Sequence, residues 1–236
     1  MSKNVISCFR VSDGINCPRV KEKKVLKNGT TKNIKQQYYC KNCGKRFIEN
    51  YNYIAYKSDV GKNIIQLTKE GLGIRSTARI LKISTTRLLK RIVEIAKNIH
   101  QPIISKGKTY EEDEMYTYIR HKRNFIWFDY ALEKKSKNVV SFNVGKWTNK
   151  TLCRVLDTLK LSELKKIFTD RLKNYRYLID KKNHSVKRFG INRIERQNLT
   201  LRTPLERLNR RTVSFNKSLV VIIAILNVYF WIWDFK

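Results

Sequence analysis

The sequence predicts an α/β protein in three parts: a small cysteine-bearing ribbon over 1–56, a helix-turn-helix over 57–100 and, after a linker at 101–110, a mixed-sheet domain over 111–236 that ends in a helical segment. Three observations carry this. A Cys-x-x-Cys pair lies among tyrosines and lysines without helical period, the pattern then turns to the spacing of amphipathic helices, and from residue 111 it alternates residue by residue as half-buried strands do. With 236 residues and 42% hydrophobic content, there is room for one ordinary domain and one or two small modules around packed cores, which excludes disorder throughout.

The ribbon comes first. QQYYCKNCGKRF (36–47) holds Cys40 and Cys43 on a knuckle closed by Gly44 and flanked by Tyr38, Tyr39 and Phe47. Upstream, NCPRV supplies Cys17, separated from Cys40 by 22 residues, a loop length close to that of zinc ribbons. Zn2+ on thiolates is the expected staple, yet a ribbon needs two pairs, and the fourth ligand's position holds Val20. Cys8 is the spare cysteine nearby and could fold back, although the eight residues between Cys8 and Cys17 make a poor knuckle. A degenerate ribbon that folds without metal is the competing expectation. The polar N-terminus lacks the apolar core of a signal peptide, which places the chain in a reducing cytoplasm where cysteines are ligands or buried thiols.

Helices follow. Val60, Ile64, Ile65 and Leu67 mark one apolar stripe, GLG (71–73) breaks it, and Ile74, Ala78 and Leu81 start a second. KIS (82–84) makes a short turn, Ser84 is suited to cap the next helix, and Thr85 to Ile99 turns Leu88, Leu89, Ile92, Ile95 and Ala96 inward. Thr86, Arg87, Lys90 and Arg91 then fall on or near the outer face, within reach of a major groove. A basic, solvated three-helix bundle would show the same pattern.

The alternating region begins with EEDEMYTYI (111–119), which puts Asp113, Met115, Thr117 and Ile119 on one face and Glu114, Tyr116 and Tyr118 on the other. A connection RHKRN (120–124), a second strand FIWFDYALE (125–133), a connection KKSKN (134–138) and a third strand VVSFNVG (139–145) imply two antiparallel hairpins. Thr151 to Leu161 reads as a helix with Leu152, Val155, Leu156 and Leu159 inward, and KKIFTD (165–170) as a buried fourth strand parallel to its neighbour, ending in Asp170. NRIERQNLTL (192–201) suits a helix on which Asn198 and Leu199 share the face of Glu195. Leu219 to Trp233 is apolar but interrupted by Asn227 and shorter than the roughly 20 residues that span a bilayer, so a packed or dimer-forming helix is expected and no membrane span.

Charge connects these parts. The chain carries 51 Lys and Arg against 19 Asp and Glu, a net charge of +32, with the excess in both halves, as befits a protein that holds a polyanion. Carboxylates weaken such a grip unless divalent metal lies between them and the phosphates. Asp113 and Asp170 sit on strands expected to lie side by side, and Glu195 on a helix that can reach the strand ends. Three such oxygens suit magnesium, and two ions would serve in-line displacement at phosphorus. Arg193 and Arg196 flank the glutamate and could hold neighbouring phosphates. Taken singly, an aspartate at a strand end is more often a turn or capping residue, and Glu111, Glu112 and Glu114 show that acids cluster here anyway.

The local sequences add a resemblance. From Glu112 to Thr203 the chain resembles bacterial transposases of the insertion-sequence-one family, through DEMYTYI around Asp113, IFTDRL around Asp170 and NRIERQNLTLRT around Glu195, continued by RRTVSFNKS (210–218). The resemblance implies a ribonuclease H-like DDE catalytic domain, with Asp113, Asp170 and Glu195 as the catalytic ligands of Mg2+ or Mn2+, two ions in all. QQYYCKNCGKRF and GLGIRSTARILKIS look like the family's zinc ribbon and helix-turn-helix, which implies recognition of terminal inverted repeats, then strand cleavage at the ends and joining to target DNA. Val20 departs from the family pattern.

His184 matches a histidine often seen in that family, where a role near the scissile phosphate and a structural role are both open. His100 and His121 are assigned nothing, and Cys153 is expected to be a buried core thiol. Double-stranded DNA is the expected partner in a bacterial, nucleoid-associated cytoplasmic protein. Holding two ends together calls for a homo-oligomer, for which Tyr229, Phe230, Trp231 and Trp233 offer either a surface or core packing. The competing classes are a catalytically inactive DNA-binding protein or repressor derived from such a transposase, and a ribonuclease or repair nuclease on the same fold.

Overall fold

The computed structural model describes residues 14–49, 59–187, 189–209 and 216–232; Cys8 and Trp233 lie outside them. The chain divides into two units, Met1–Tyr56 and Lys57–Lys236.

In the first unit, β1 (Val25–Thr30), β2 (Gln36–Cys40) and β3 (Arg46–Ile48) form an antiparallel sheet in that order. Its small core consists of Val25, Tyr38, Phe47 and the thiols of Cys17 and Cys40, with Tyr38 stacked on Phe47 at 5.7 Å. Two turns share one geometry. Gly44 N–H donates to the Cys40 carbonyl at 2.9 Å with Gly44 at φ +67°, and Lys21 N–H donates to the Cys17 carbonyl at 2.8 Å with Lys21 at φ +55°. The second knuckle is therefore formed, with Val20 in the place that Cys43 holds in the first.

The second unit opens with α1 (Asp59–Lys69), α2 (Ile74–Ile80) and α3 (Thr85–Lys97). Helix α1 buries Thr68 where Leu67 was expected; the Thr68 hydroxyl donates to the Ile64 carbonyl at 2.7 Å, which removes the cost of enclosing it. Ser84 caps α3 by accepting from the Arg87 N–H at 3.2 Å. Gly71, at φ +78°, ends α1 where a Cβ would lie 2.3 Å from the Pro204 carbonyl oxygen, so only glycine fits.

The sheet comprises β4 (Thr109–Ile119), β5 (His121–Glu133), β6 (Val139–Gly145), β7 (Lys166–Phe168) and β8 (His184–Ser185), in the order β6-β5-β4-β7-β8. The pairs β4–β5 and β5–β6 are antiparallel, while β7 and β8 add in parallel, the arrangement of a ribonuclease H-like fold. The basic run after β4 is not a loop. A tight turn at Arg120 (φ +65°) leads straight into β5, and residues 121 to 125 are all exposed, so no alternation betrays this part of the strand. Helix α4 (Asn149–Leu161), capped by Thr148, crosses from β6 to β7, and its Val155, Leu156 and Leu159 pack on Tyr110, Ala131 and Ile167.

After β7 come the short α5 (Tyr175–Leu178), then α6 (Asn192–Arg202) and α7 (Leu219–Trp231). Phe230 of α7 stacks on Phe128 and Tyr130, each at 5.9 Å, and the Trp231 indole N–H donates to the Val139 carbonyl at 3.0 Å. Helix α7 also packs against α1 and α3. Each fully buried aliphatic or aromatic side chain contributes roughly 1.5–3 kcal/mol, so α7 is a core helix on energetic grounds alone. No helix among the described residues is long and apolar enough to cross a membrane.

Candidate active site

The parallel pairing of β4 with β7 stops at Glu111 and Phe168. Asp170 lies two residues past the end of β7, and its Oδ1 accepts from the Leu172 N–H at 2.8 Å, which fixes the carboxylate. Beyond Glu111, β4 continues without β7, and Asp113 and Glu114 stand there. Helix α6 supplies Glu195 from its first turn. Asp113, Glu114, Asp170 and Glu195 thus line one pocket together with Tyr116, Trp127, Asn198, Leu199 and Arg202.

A buried acid positions the helix. Helix α6 has no side-chain cap of its own, and Glu111, fully buried on β4, accepts from the N–H groups of Arg193 and Ile194, each at 3.0 Å. Lys134 completes the arrangement at 3.2 Å from the other Glu111 oxygen. A carboxylate at a helix N-terminus also meets the positive end of the helix dipole. One turn further on, Asn198 donates to Asp113 Oδ2 at 2.6 Å and accepts from the Tyr130 hydroxyl at 2.7 Å.

Burial dominates the electrostatics. It pushes the Asp113 carboxyl up to about 6, with the Asp170 and Glu195 charges adding to the shift and the Asn198 hydrogen bond opposing it. Glu114 is pushed up to about 7, again by burial first, although the Tyr175 hydroxyl donates to it at 2.8 Å. Behind them, Glu112 and Asp129 are buried and raised well above the carboxylate range by desolvation and, for Glu112, by Asp129 itself. Their four oxygens are buried with no hydrogen-bond partner among the described residues, which favours the neutral form. Among the described residues, no Lys or Arg forms an ion pair with Asp113, Glu114, Asp170 or Glu195. Hard oxygen donors left unpaired in a chain of net charge +32 fit a divalent cation of the magnesium type.

The other expected residues are distributed as follows. Arg193 directs its guanidinium to the Lys134 carbonyl and Arg196 is exposed, and neither lines the pocket; Arg202, one helix length on, does. Thr86 and Lys90 are exposed on α3, while Arg87 and Arg91 are half-buried, Arg91 paired with Glu94 at 3.1 Å. His184 does not line the pocket. Its Nε2 lies 2.8 Å from the Thr169 hydroxyl, which donates to the Asp170 carbonyl, so it braces the segment that carries Asp170. Cys153 is half-buried on α4, not enclosed in the core as expected, because Leu152, Val155 and Leu156 take the inward positions.

In the ribbon, the sulfurs of Cys17, Cys40 and Cys43 lie within 4.8 Å of one another. Burial would raise the Cys17 thiol, but backbone N–H groups of Val20 and Arg19 and the neighbouring thiols outweigh it and bring Cys17 down to about 7. Three converging sulfurs with a depressed thiol suit a soft-tolerant metal such as zinc, and are compatible with a zinc ribbon.

Pocket residues that sequence reasoning did not assign are Glu114, Tyr116, Trp127 and Arg202. Strand alternation put Glu114 and Tyr116 opposite Asp113, and only the open edge of β4 lets both faces reach one pocket.

The family model described as IS1 transposase matches residues 108–236. The iso-IS1n protein InsB of Shigella dysenteriae is 31% identical over 111 residues, covering 47% of this chain and 85% of that protein. The IS1 protein InsB of Shigella flexneri is 36% identical over 108 residues, covering 46% and 82%. Among solved structures, the HTLV-2 integrase catalytic core domain in complex with magnesium overlaps at a TM-score of 0.34 with 15% identity, over 54% of this chain and 86% of that one. With more than half of its length matched by the family model, this chain belongs to the IS1 transposase family.

Proposed function

We propose that this transposase binds the terminal inverted repeats of its element and carries out divalent-metal-dependent strand cleavage and transfer at Asp113, Asp170 and Glu195. The observation that carries the reading is the convergence of these acids, with Glu114, in one pocket where, among the described residues, no Lys or Arg forms an ion pair with them.

Asp113, Asp170 and Glu195 would hold Mg2+ or Mn2+, which when bound supplies activation of the attacking hydroxyl and stabilisation of the leaving oxygen. The residues themselves have separable tasks. Asn198 orients Asp113, Glu111 sets the height of α6 and hence of Glu195, and the turn at Leu172 aims Asp170. Arg202 stands in the same pocket as a candidate phosphate contact. Thr86, Arg87, Lys90 and Arg91 on α3 would read the element ends, and the three-thiol cluster would hold Zn2+ in the ribbon. Synapsis of two ends calls for a homo-oligomer on DNA.

The test uses a duplex carrying one element end. With Mg2+, wild type should nick it, while Asp113→Asn binds with equal affinity and does not nick. Equal nicking by both proteins would remove Asp113 from catalysis, and binding without nicking by wild type would leave a DNA-binding protein or repressor.

A further inference from the structure

One face of the sheet changes character along its length. Under α4 it carries Tyr110 and Ala131, then the acids Glu112, Asp129 and Glu114, and finally aromatic rings. The register sets Tyr116 opposite Trp127 and Tyr118 opposite Phe125, and Trp147, from the segment after β6, leans on Trp127 with ring centres 4.1 Å apart. Tyr116 lies 5.5 Å from Trp127 and 5.6 Å from Phe125, so the rings form one continuous cluster.

Apart from the buried Tyr118, this cluster is not core. Phe125 is 50% exposed and Trp147 36%, and Tyr116 and Trp127 are partly exposed. Tyr116 and Trp127 also line the pocket that holds Asp113, Asp170 and Glu195. The rim is cationic: Arg120, Lys122, Arg123, Lys146 and Lys150 are all exposed on the adjoining hairpin and segment. Partly exposed rings beside exposed cations suit an occupant that is both anionic and flat. A nucleic-acid strand satisfies both demands, and it can offer base faces only where it is unpaired, since a duplex hides them in its stack.

We infer that Tyr116, Phe125, Trp127 and Trp147 form a stacking platform for unpaired nucleotides of the DNA strand whose phosphate enters the carboxylate pocket. The inference rests on the proposed function for the identity of the strand, and adds that the reacting end is opened on the protein. Unstacking costs a few kcal/mol, which the aromatic faces offset.

The experiment measures binding of the full chain to a fluorescent single-stranded oligodeoxynucleotide by anisotropy, without divalent metal and with salt high enough to suppress nonspecific contacts. Trp127→Ala and Trp147→Ala should each weaken strand binding about tenfold, equivalent to about 1.4 kcal/mol, and leave affinity for duplex within about threefold. Trp127→Phe and Trp147→Phe should retain most of the affinity. Trp147 lies at the rim, so its variant decides the matter if Trp127→Ala unfolds. Strand affinity unchanged within about twofold in Trp147→Ala would overturn the inference. So would a change of oligomeric state on sedimentation with strand affinity intact, which would make the patch an interface between copies. Because the readout needs no metal, nicking without aromatic-dependent strand binding defeats this inference alone, and the converse defeats the proposed function alone.

Discussion

Asn198 donates to Asp113 Oδ2 at 2.6 Å while its own oxygen accepts the Tyr130 hydroxyl at 2.7 Å, which locks both the amide orientation and the carboxylate. Asn198→Ala should lower end-nicking at least tenfold with little change in DNA affinity, because a misplaced ligand loses more rate than binding. It also leaves the buried Tyr130 hydroxyl short of its best acceptor, at a cost of roughly 1–3 kcal/mol. Nicking assays and urea midpoints check the two effects separately.

Glu111 is a cap contributed by a strand to a helix 82 residues away in sequence. Glu111→Gln keeps one acceptor but removes the charge that faces Lys134 and the helix dipole. Stability should fall by roughly 1–3 kcal/mol. Glu111→Ala should cost more and also reduce nicking, since Glu195 rides on the freed first turn. Full activity in a stable Glu111→Ala protein would show that α6 is held by other contacts.

The raised Asp113 carboxyl makes metal-free stability depend on pH. Its folded value of about 6 lies above the ordinary aspartate value of 3.8, so between these the folded state holds more protons than the unfolded. The stabilising contribution is complete below the lower value and is lost as pH rises through the upper one. Asp113→Asn mimics the protonated form. It should match wild type in unfolding free energy near pH 4 and exceed it near pH 8, by up to roughly 3 kcal/mol, read from urea midpoints. An advantage that shrinks as pH rises would contradict the burial argument.

The second knuckle of the ribbon keeps its turn but carries Val20, 39% exposed, where its twin carries Cys43. Val20→Cys should complete a four-thiolate site and tighten zinc at least tenfold, measured by competition with a chelating dye. Wild type should bind zinc more weakly through Cys17, Cys40 and Cys43, and Cys40→Ala should abolish it. Equal affinities for wild type and Val20→Cys would mean that the fourth position is filled from elsewhere.

Much of this was legible in the chain. Strand β6 matches its expected bounds, the parallel fourth strand falls where a helical crossover demanded it, and Ser84 caps α3, because period and capping are local signals. The beginning of β5 was hidden, since a strand exposed on both faces has no alternation to read. The acids of β4 resisted in another way. Glu111, Glu112 and Glu114 read only as a cluster of acids, because a buried carboxylate looks like an exposed one until its partners are known, and those partners are Arg193, Ile194, Asp129 and Tyr175. Arg202 and Trp127 enter the pocket only through tertiary packing, which leaves no periodic trace.

The most direct test of a shared metal site replaces its ligands with a softer one. Asp113→Cys and Asp170→Cys should be inactive in end-nicking with Mg2+ and recover activity with Mn2+, which accepts a thiolate that Mg2+ does not. Wild type should work with either ion. If both variants show the same activity relative to wild type in Mg2+ and in Mn2+, these carboxylates do not bind the catalytic metal, and the reading of this pocket as the active site is wrong.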